Sequence, residues 1–561
     1  LVFLSQLAMV AQTRRARAAS SHAAFRRTTS PRGQVPVLAP STAPDDLDAS
    51  LEGHTGLEQA LATVLCGGKD LAALVRLWPT HGWELPKLAQ REGGLWIHST
   101  SAILALPSDS GHGPFEPLFE GHPQPSSSAP SWLAMGELPR IDCSRTSGAP
   151  LPTRALQLVQ AGMCCVLESA RLWPAAERAW ASSDYLRSGL RGPCNVLSSP
   201  VQNGRRFSYW FDHADRVQAG YAAEPLVITH SMSFEAYLDA SREAARAVAQ
   251  GSADARCLYL QQTVLQLRPD GTGLMPCTGL AGSMSRDVEF GIDIAAVRSL
   301  MEAGRFGAWQ RNQLFVGAGT EGARSILHFD QYDNLFIQIS GTKRFRIFDP
   351  QQTAYLYPYP IHHPLDTRSQ VDLEAEDATT VFPRLHEARG TEIVLRPGQT
   401  LFLPAYWWHE VTTLPPDTDG ALNVSINFWF DVTPRLLRPT RPLAPSMRCE
   451  LARQLEYLIA DSLSDRAQHV PTFCAAALRA LQHDATVSSA ASAMTSWAGA
   501  MRALDAQRPD DVGEAQWRGL FRFVLCKLAF FVGPSGMRSF LEELCHPSRF
   551  ERLRLERGPT R

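Results

Sequence analysis

Ser325-Ile-Leu-His328-Phe-Asp330 decides the reading of this chain, because it sets a histidine and an aspartate two residues apart inside an alternating apolar run. Side chains two apart on a strand leave the same face. A distant third group, His409 at the end of Pro404-Ala-Tyr-Trp-Trp-His409, can complete a set of two imidazoles and one carboxylate on one side of a metal. That donor set suits non-haem Fe(II) with positions left open for a co-substrate and O2. A bare His-x-Asp pair says little, and its setting says more. Apolar alternating stretches flank it, Lys343 follows on the next strand but one, and the strand-like run Thr400-Leu-Phe-Leu-Pro404 leads into His409.

Working outward, short strands are expected over Cys164–Leu167, Cys257–Leu267, Asn312–Val316, Ser325–Asp330, Asn334–Ile339, Arg344–Phe348, Thr391–Leu395, Thr400–Pro404 and Leu422–Phe430. Gly, Pro and Asp turns separate them. Helices are expected over Thr153–Ala161, Trp173–Leu186 and Ser233–Ala249. Seven or more such strands predict a mainly β core of the jelly-roll, double-stranded β-helix class with flanking helices. After Phe430 the pattern turns helical: Leu451, Leu455, Leu458 and Ile459, then Trp517, Leu520, Phe521, Val524, Leu525, Leu528 and Phe531, recur at helical spacing.

At 561 residues and 44% hydrophobic content the chain can bury a sizeable core and exceeds the usual size of one domain. The 54 Lys and Arg balance 56 Asp and Glu, so no electrostatic ground exists for nucleic acid as the main partner. Eleven cysteines without a Cys-x-x-Cys pair read as reduced, mostly buried thiols. No uninterrupted apolar span is long enough for a membrane helix; even Phe523 to Val532 is broken by Lys527. Residues 1–48 are Arg-rich (Arg14, Arg15, Arg17, Arg26, Arg27, Arg32) with no acid before Asp45, which fits either an organellar targeting segment or a disordered leader. Residues 49–136 hold short helices (Leu57 to Leu65, Leu71 to Trp78) and a Pro/Ser-rich linker from Pro107 to about Pro130.

Lys343 has the strand parity of Phe345 and Ile347 and is therefore expected inside, where an unpaired ammonium is costly. A dicarboxylate co-substrate would answer it, with Tyr259 and Ser325 hydroxyls helping. The alternative is an edge lysine reaching solvent or pairing with Asp349. Asn334 and Phe336 share a face, as do Asn427 and Trp429. The inward asparagines read either as partners of metal-bound carboxylate oxygens or as cross-strand hydrogen bonds. His362 and His363, between prolines, read as shaping a rigid loop. His409-Glu410 is no zinc-protease helix, because position 413 is Thr.

Several segments together carry a resemblance: Asn334-Leu-Phe-Ile-Gln-Ile-Ser-Gly-Thr-Lys343, Leu356-Tyr-Pro-Tyr-Pro-Ile-His-His-Pro364, Ser369-Gln-Val-Asp372, Pro404-Ala-Tyr-Trp-Trp-His409, Asn427-Phe-Trp429 and Leu258-Tyr-Leu-Gln-Gln-Thr263. In order and spacing, residues 137 to 435 resemble the JmjC/cupin-like 2-oxoglutarate oxygenases, nearest to asparaginyl hydroxylases of the factor-inhibiting-HIF type. The resemblance implies Fe(II) on His328, Asp330 and His409, and 2-oxoglutarate on Lys343 and Tyr259, with Ser325 standing for the family's threonine. It implies Asn334 and Asn427 beside the chelating end of the co-substrate, and Gln261 and Trp429 near the target side chain. Thr367-Arg368 stands where the family has Arg-Gln clasping the target amide, so asparagine selectivity is open here.

The expected activity is oxidation of a protein or peptide side chain by O2 and 2-oxoglutarate, releasing succinate and CO2. Residues 436–561 are expected to be helical and, as in the family, to support a homodimer. A soluble intracellular location, cytoplasm or nucleus, goes with this reading, an organelle being the alternative. Two other functions remain: a JmjC lysine demethylase, and a cupin-like binding module without turnover.

Overall fold

The structure is a computed structural model that describes residues 136–144, 149–208, 227–319, 322–361, 363–415, 420–432, 435, 443–463, 469–481, 490–533 and 536–545. The leader, the expected helices and linker between 49 and 135, and His362 lie outside the described residues. The chain divides into two compact units. Among the described residues, one falls within Pro107–Phe211 and Tyr221–Glu450, the other within Leu451–Arg554.

The first unit is built on fifteen described strands. They are β1 (Arg140–Asp142), β2 (Cys165–Glu168), β3 (Cys194–Pro200), β4 (Arg206–Phe207), β5 (Ile228–Met232), β6 (Arg256–Leu267), β7 (Leu274–Pro276) and β8 (Trp309–Gly317). There follow β9 (Arg324–His328), β10 (Asp333–Ser340), β11 (Lys343–Phe348), β12 (Gly390–Leu395), β13 (Gln399–Leu403), β14 (Trp408–Thr413) and β15 (Asn423–Phe430). The larger sheet runs β1-β2-β13-β10-β15-β8-β6-β3-β5 with β7 on β6, and the smaller runs β12-β11-β14-β9-β4. Apart from β1/β2 and β4/β9 the pairings are antiparallel.

Two apolar layers follow from the period-2 pattern. Phe336, Leu401 and Leu403 of the large sheet pack with Phe345, Ile347, Ile393 and Leu395 of the small one. Phe336 meets Phe345 edge-on with ring centroids 5.3 Å apart. The opposite face of the large sheet, carrying Leu314, Ile426 and Phe428, is covered by Trp173 and Trp180, which flank the helix Pro174–Ala179, and by the helical Tyr237. Each such buried side chain stabilises the fold by about 1.5–3 kcal/mol relative to exposure. The expected jelly-roll class, with a cupin-like two-sheet core and flanking helices, is therefore what the chain adopts.

Three local expectations are corrected. The strand expected over Ser325–Asp330 stops at His328, leaving Asp330 in the following loop. The helix expected over Trp173–Leu186 is two helices, Pro174–Ala179 and Ser183–Gly189, because the Ser182 hydroxyl accepts the Tyr185 N–H and starts a second helix. The strand expected from Asn312 begins at Trp309 and so includes Arg311.

The second unit is helical: most of Pro445–Ser462 and the helices His469–Ala480, Ala490–Asp505, Glu514–Phe531 and Met537–Leu544. The stripe at Trp517, Leu520, Phe521, Val524, Leu525, Leu528 and Phe531 is buried within this chain, with Phe473 edge-on to Trp517 at 5.1 Å. Among the described residues no helix is long and apolar enough to cross a membrane. Among the described residues the cysteines form no disulfide with one another.

Candidate metal centre and adjoining pocket

His328, the last residue of β9, is paired directly with His409 of β14. Their rings lie 4.2 Å apart, centroid to centroid. Asp330, two residues beyond the strand, returns its carboxylate to within 3.9 Å of His409 Nε2. One ligand atom from each of the three lies within 4.8 Å of the others. The two-residue spacing brings the pair together through a strand end and a loop, not through a shared strand face.

Both imidazoles are set up as neutral ligands. His328 Nδ1 bonds the carbonyl of Ile326 at 2.7 Å, and His409 Nδ1 that of Trp407 at 3.0 Å. A carbonyl only accepts, so each Nδ1 carries the proton and each Nε2 keeps its lone pair. Burial holds the pKa of His328 well below its ordinary value, aided by the charges of His409 and Arg368. Burial also lowers that of His409, against the opposing pull of Asp330. Two neutral imidazoles and a carboxylate on one side match the donor set for Fe(II).

Backbone and ionic contacts hold the two ligand-bearing loops together. Tyr406, at φ +69°, donates its N–H to the Asp330 carbonyl at 2.8 Å. A residue of this type in the left-handed region stores on the order of 1–3 kcal/mol. Its hydroxyl bonds Glu450 at 2.5 Å. Asp333, fully buried, accepts the Ala405 N–H at 3.0 Å and pairs with Arg435 at 2.7 Å.

Lys343 opens β11 on the inner face and is 1% exposed. Its ammonium donates to the Tyr259 hydroxyl at 2.7 Å. The rings of Tyr259, Phe315 and Phe336 surround it at 5.2–5.5 Å. Neither alternative expected for an edge lysine occurs: it does not reach solvent, and Asp349 instead caps the 3-10 turn Pro350–Tyr355. No carboxylate among the described residues lies within ion-pair reach, and burial pulls the Lys343 pKa down to about 7. A desolvated ammonium with one hydroxyl partner fits the carboxylate of a small diacid.

Asn334, Asn427 and Trp429 meet on the inner face of β10 and β15, where Asn334 pairs with Trp429 and Phe336 with Asn427. Asn427 Oδ1 accepts the Gln313 N–H at 3.0 Å, so part of its role is the expected cross-strand bond. Asn427 Nδ2, Asn334 Oδ1 and Trp429 Nε1 are buried without a hydrogen-bond partner. Such orphans are rare in native interiors and point to a bound group.

Gln261, Ser325, His328 and Arg368 line one cavity. Arg368 enters it because the segment before Ser369 runs beside β9: Arg368 bridges His328, and Phe329 N–H donates to the Thr367 carbonyl at 3.1 Å. The guanidinium is held by the Asp366 carbonyl at 2.9 Å and the Thr367 hydroxyl at 2.5 Å. Thr367 has φ +67°. His363 stacks on Tyr359 at 4.2 Å and accepts the Leu365 N–H at 2.9 Å, the loop-shaping role expected of it. Sequence reasoning missed Arg311, whose guanidinium lies 4.3 Å over the Trp429 ring, and Tyr332, stacked on that ring at 5.9 Å. Parity with Gln313 and Phe315 could have found Arg311 had the strand been started three residues earlier.

Comparison with known proteins agrees with this architecture. The model for the cupin-like domain matches residues 156–435. HSPB1-associated protein 1 of Rattus norvegicus is 37% identical over 125 residues, 22% of this chain and 24% of that protein. Lysine-specific demethylase 8 of Xenopus tropicalis is 38% identical over 112 residues, 20% and 24% respectively. Lysine-specific demethylase JMJ31 of Arabidopsis thaliana is 34% identical over 110 residues, 19% of each. The chain thus spans about a quarter or less of the length of these curated relatives. With the two facing sheets and the matched span in agreement, residues 156–435 are a cupin-like domain.

Proposed function

We propose that this chain is an Fe(II)- and 2-oxoglutarate-dependent dioxygenase that hydroxylates a protein side chain, with iron held by His328, Asp330 and His409. The observation that carries the reading is the close set of two tautomer-fixed imidazoles and one carboxylate, in a domain that also buries the Lys343 ammonium. Iron held there would supply O2 activation coupled to decarboxylation of 2-oxoglutarate, yielding succinate, CO2 and one oxygen atom for a C–H bond of the target.

The chain's own groups do the rest by positioning and by excluding water. Lys343 and Tyr259 bind the far carboxylate of 2-oxoglutarate, with the Ser325 hydroxyl lending a further donor. The unpartnered Nδ2 of Asn427 donates to its chelating end, and Asn334 lies on the same face beside it. Phe315, Phe336 and Phe345 form the apolar wall that keeps bulk water from the ammonium. Gln261, Thr367, Arg368 and Trp429 receive the target side chain.

Asparagine is the target that the motif likeness favours, while Thr367-Arg368 in place of Arg-Gln leaves that choice to experiment. A second reading, lysine demethylation, is favoured by relatives that bear the name lysine-specific demethylase. Anaerobic Fe(II) titration followed by succinate release on adding 2-oxoglutarate and O2 tests the reaction class and separates it from a non-catalytic binding module. A peptide-library screen read by mass then separates gain of one oxygen from loss of a methyl. Failure to retain iron under reducing conditions overturns the proposal. The further expectation of a homodimer through the C-terminal helices is tested by light scattering on the full chain.

A further inference from the structure

Resting on the reading of a protein substrate, we propose that Arg311, laid on Trp429, forms a carboxylate-binding subsite that selects target chains with an acidic residue beside the oxidised one. Arg311 of β8 pairs with Trp429 of β15, so both side chains stand on the inner face of the large sheet. Tyr332, two residues beyond Asp330, stacks on the same indole and is 36% exposed. Arg311, Trp429 and Tyr332 therefore form one stack that reaches the protein surface two residues along the chain from Asp330.

The chemistry of that stack is one-sided. With its central carbon 4.3 Å from the Trp429 ring centroid, the Arg311 guanidinium keeps N–H donors for a planar, bidentate acceptor. Arg311 makes no ion pair among the described residues. Trp429, 7% exposed, has its Nε1 donor unpartnered beside it. On the other side of the ligand set Arg368 lines the cavity with His328, and the charge of Arg368 is felt at both imidazoles. Cations and N–H donors of this kind complement carboxylates and disfavour a lysine-rich chain by like-charge juxtaposition.

The test uses the full chain and two fluorescein-labelled peptides that share a central asparagine, one flanked by glutamates and the other by lysines. Fluorescence anisotropy without iron, 2-oxoglutarate or O2 reads binding alone. The glutamate peptide is expected to bind about tenfold or more tightly than the lysine peptide at low salt, the preference shrinking as salt screens it. Arg311→Glu is expected to abolish or invert the preference. Arg311→Gln, which keeps the length of the side chain and removes its charge, reduces it, and a melting curve like that of the parent shows that folding is intact. An equal preference in all three proteins, or no preference in the parent, overturns the subsite. Succinate release without charge preference refutes the subsite alone, and charge preference without any succinate release refutes only the dioxygenase reading.

Discussion

Replacing Lys343 by methionine separates the cost of its burial from its proposed use. Burial pulls the Lys343 pKa from 10.5 to about 7. At ~1.4 kcal/mol per pH unit this penalises the folded, charged form by up to about 5 kcal/mol. The folded pKa lies below the unfolded one, so between pH 7 and 10.5 the unfolded chain binds more protons. The ligand-free parent should therefore gain stability as pH rises through that window and show its full penalty below it. Methionine has nearly the same volume, and such a swap costs under about 1.5 kcal/mol in packing. Lys343→Met is thus expected to melt higher than the parent near pH 7 without ligand and to lack the rise with pH. Its affinity for 2-oxoglutarate should fall roughly 10- to 150-fold, since a charge-assisted bond worth ~1.5–3 kcal/mol is removed. Urea unfolding across pH, with calorimetric titration of 2-oxoglutarate, reads both effects. A variant that is less stable than the parent near pH 7 and still binds 2-oxoglutarate normally would refute the argument.

His409→Ala removes one of three donors whose ligand atoms lie within 4.8 Å, and Fe(II) uptake under anaerobic reducing conditions should be lost while the melting temperature changes little. Arg435→Met leaves the Asp333 carboxylate buried without its counter-charge and is expected to cost about 3–5 kcal/mol in urea unfolding. Burial already holds the Asp333 pKa above its ordinary value. The variant should therefore be steadiest at acid pH, below the ordinary carboxylate value, and lose stability as pH rises through the raised pKa. Gly341, at φ +68° in the turn from β10 to Lys343, would bring an added Cβ to 2.7 Å from Asn423 Nδ2. Gly341→Ala should destabilise by about 1–2 kcal/mol and weaken 2-oxoglutarate binding, read by thermal melts and titration.

The amino-acid sequence by itself determined the class of fold, and it singled out His328, Asp330 and His409, which the structure brings within 4.8 Å of one another. The side a residue faces on a strand is a local, two-residue property, so the inward placement of Lys343 and the shared face of Asn427 and Trp429 could be read from spacing. Position in three dimensions is another matter. Asp330 reaches the histidines from a loop because β9 ends at His328, and its loop is held by Tyr406 and by the Asp333 and Arg435 pair. Arg368 lies beside His328 only through a bridge to β9, and Arg311 meets Trp429 only through the register of β8 on β15. Registers between strands far apart in the chain are chosen by packing of whole faces, so these contacts were decided by the tertiary structure alone.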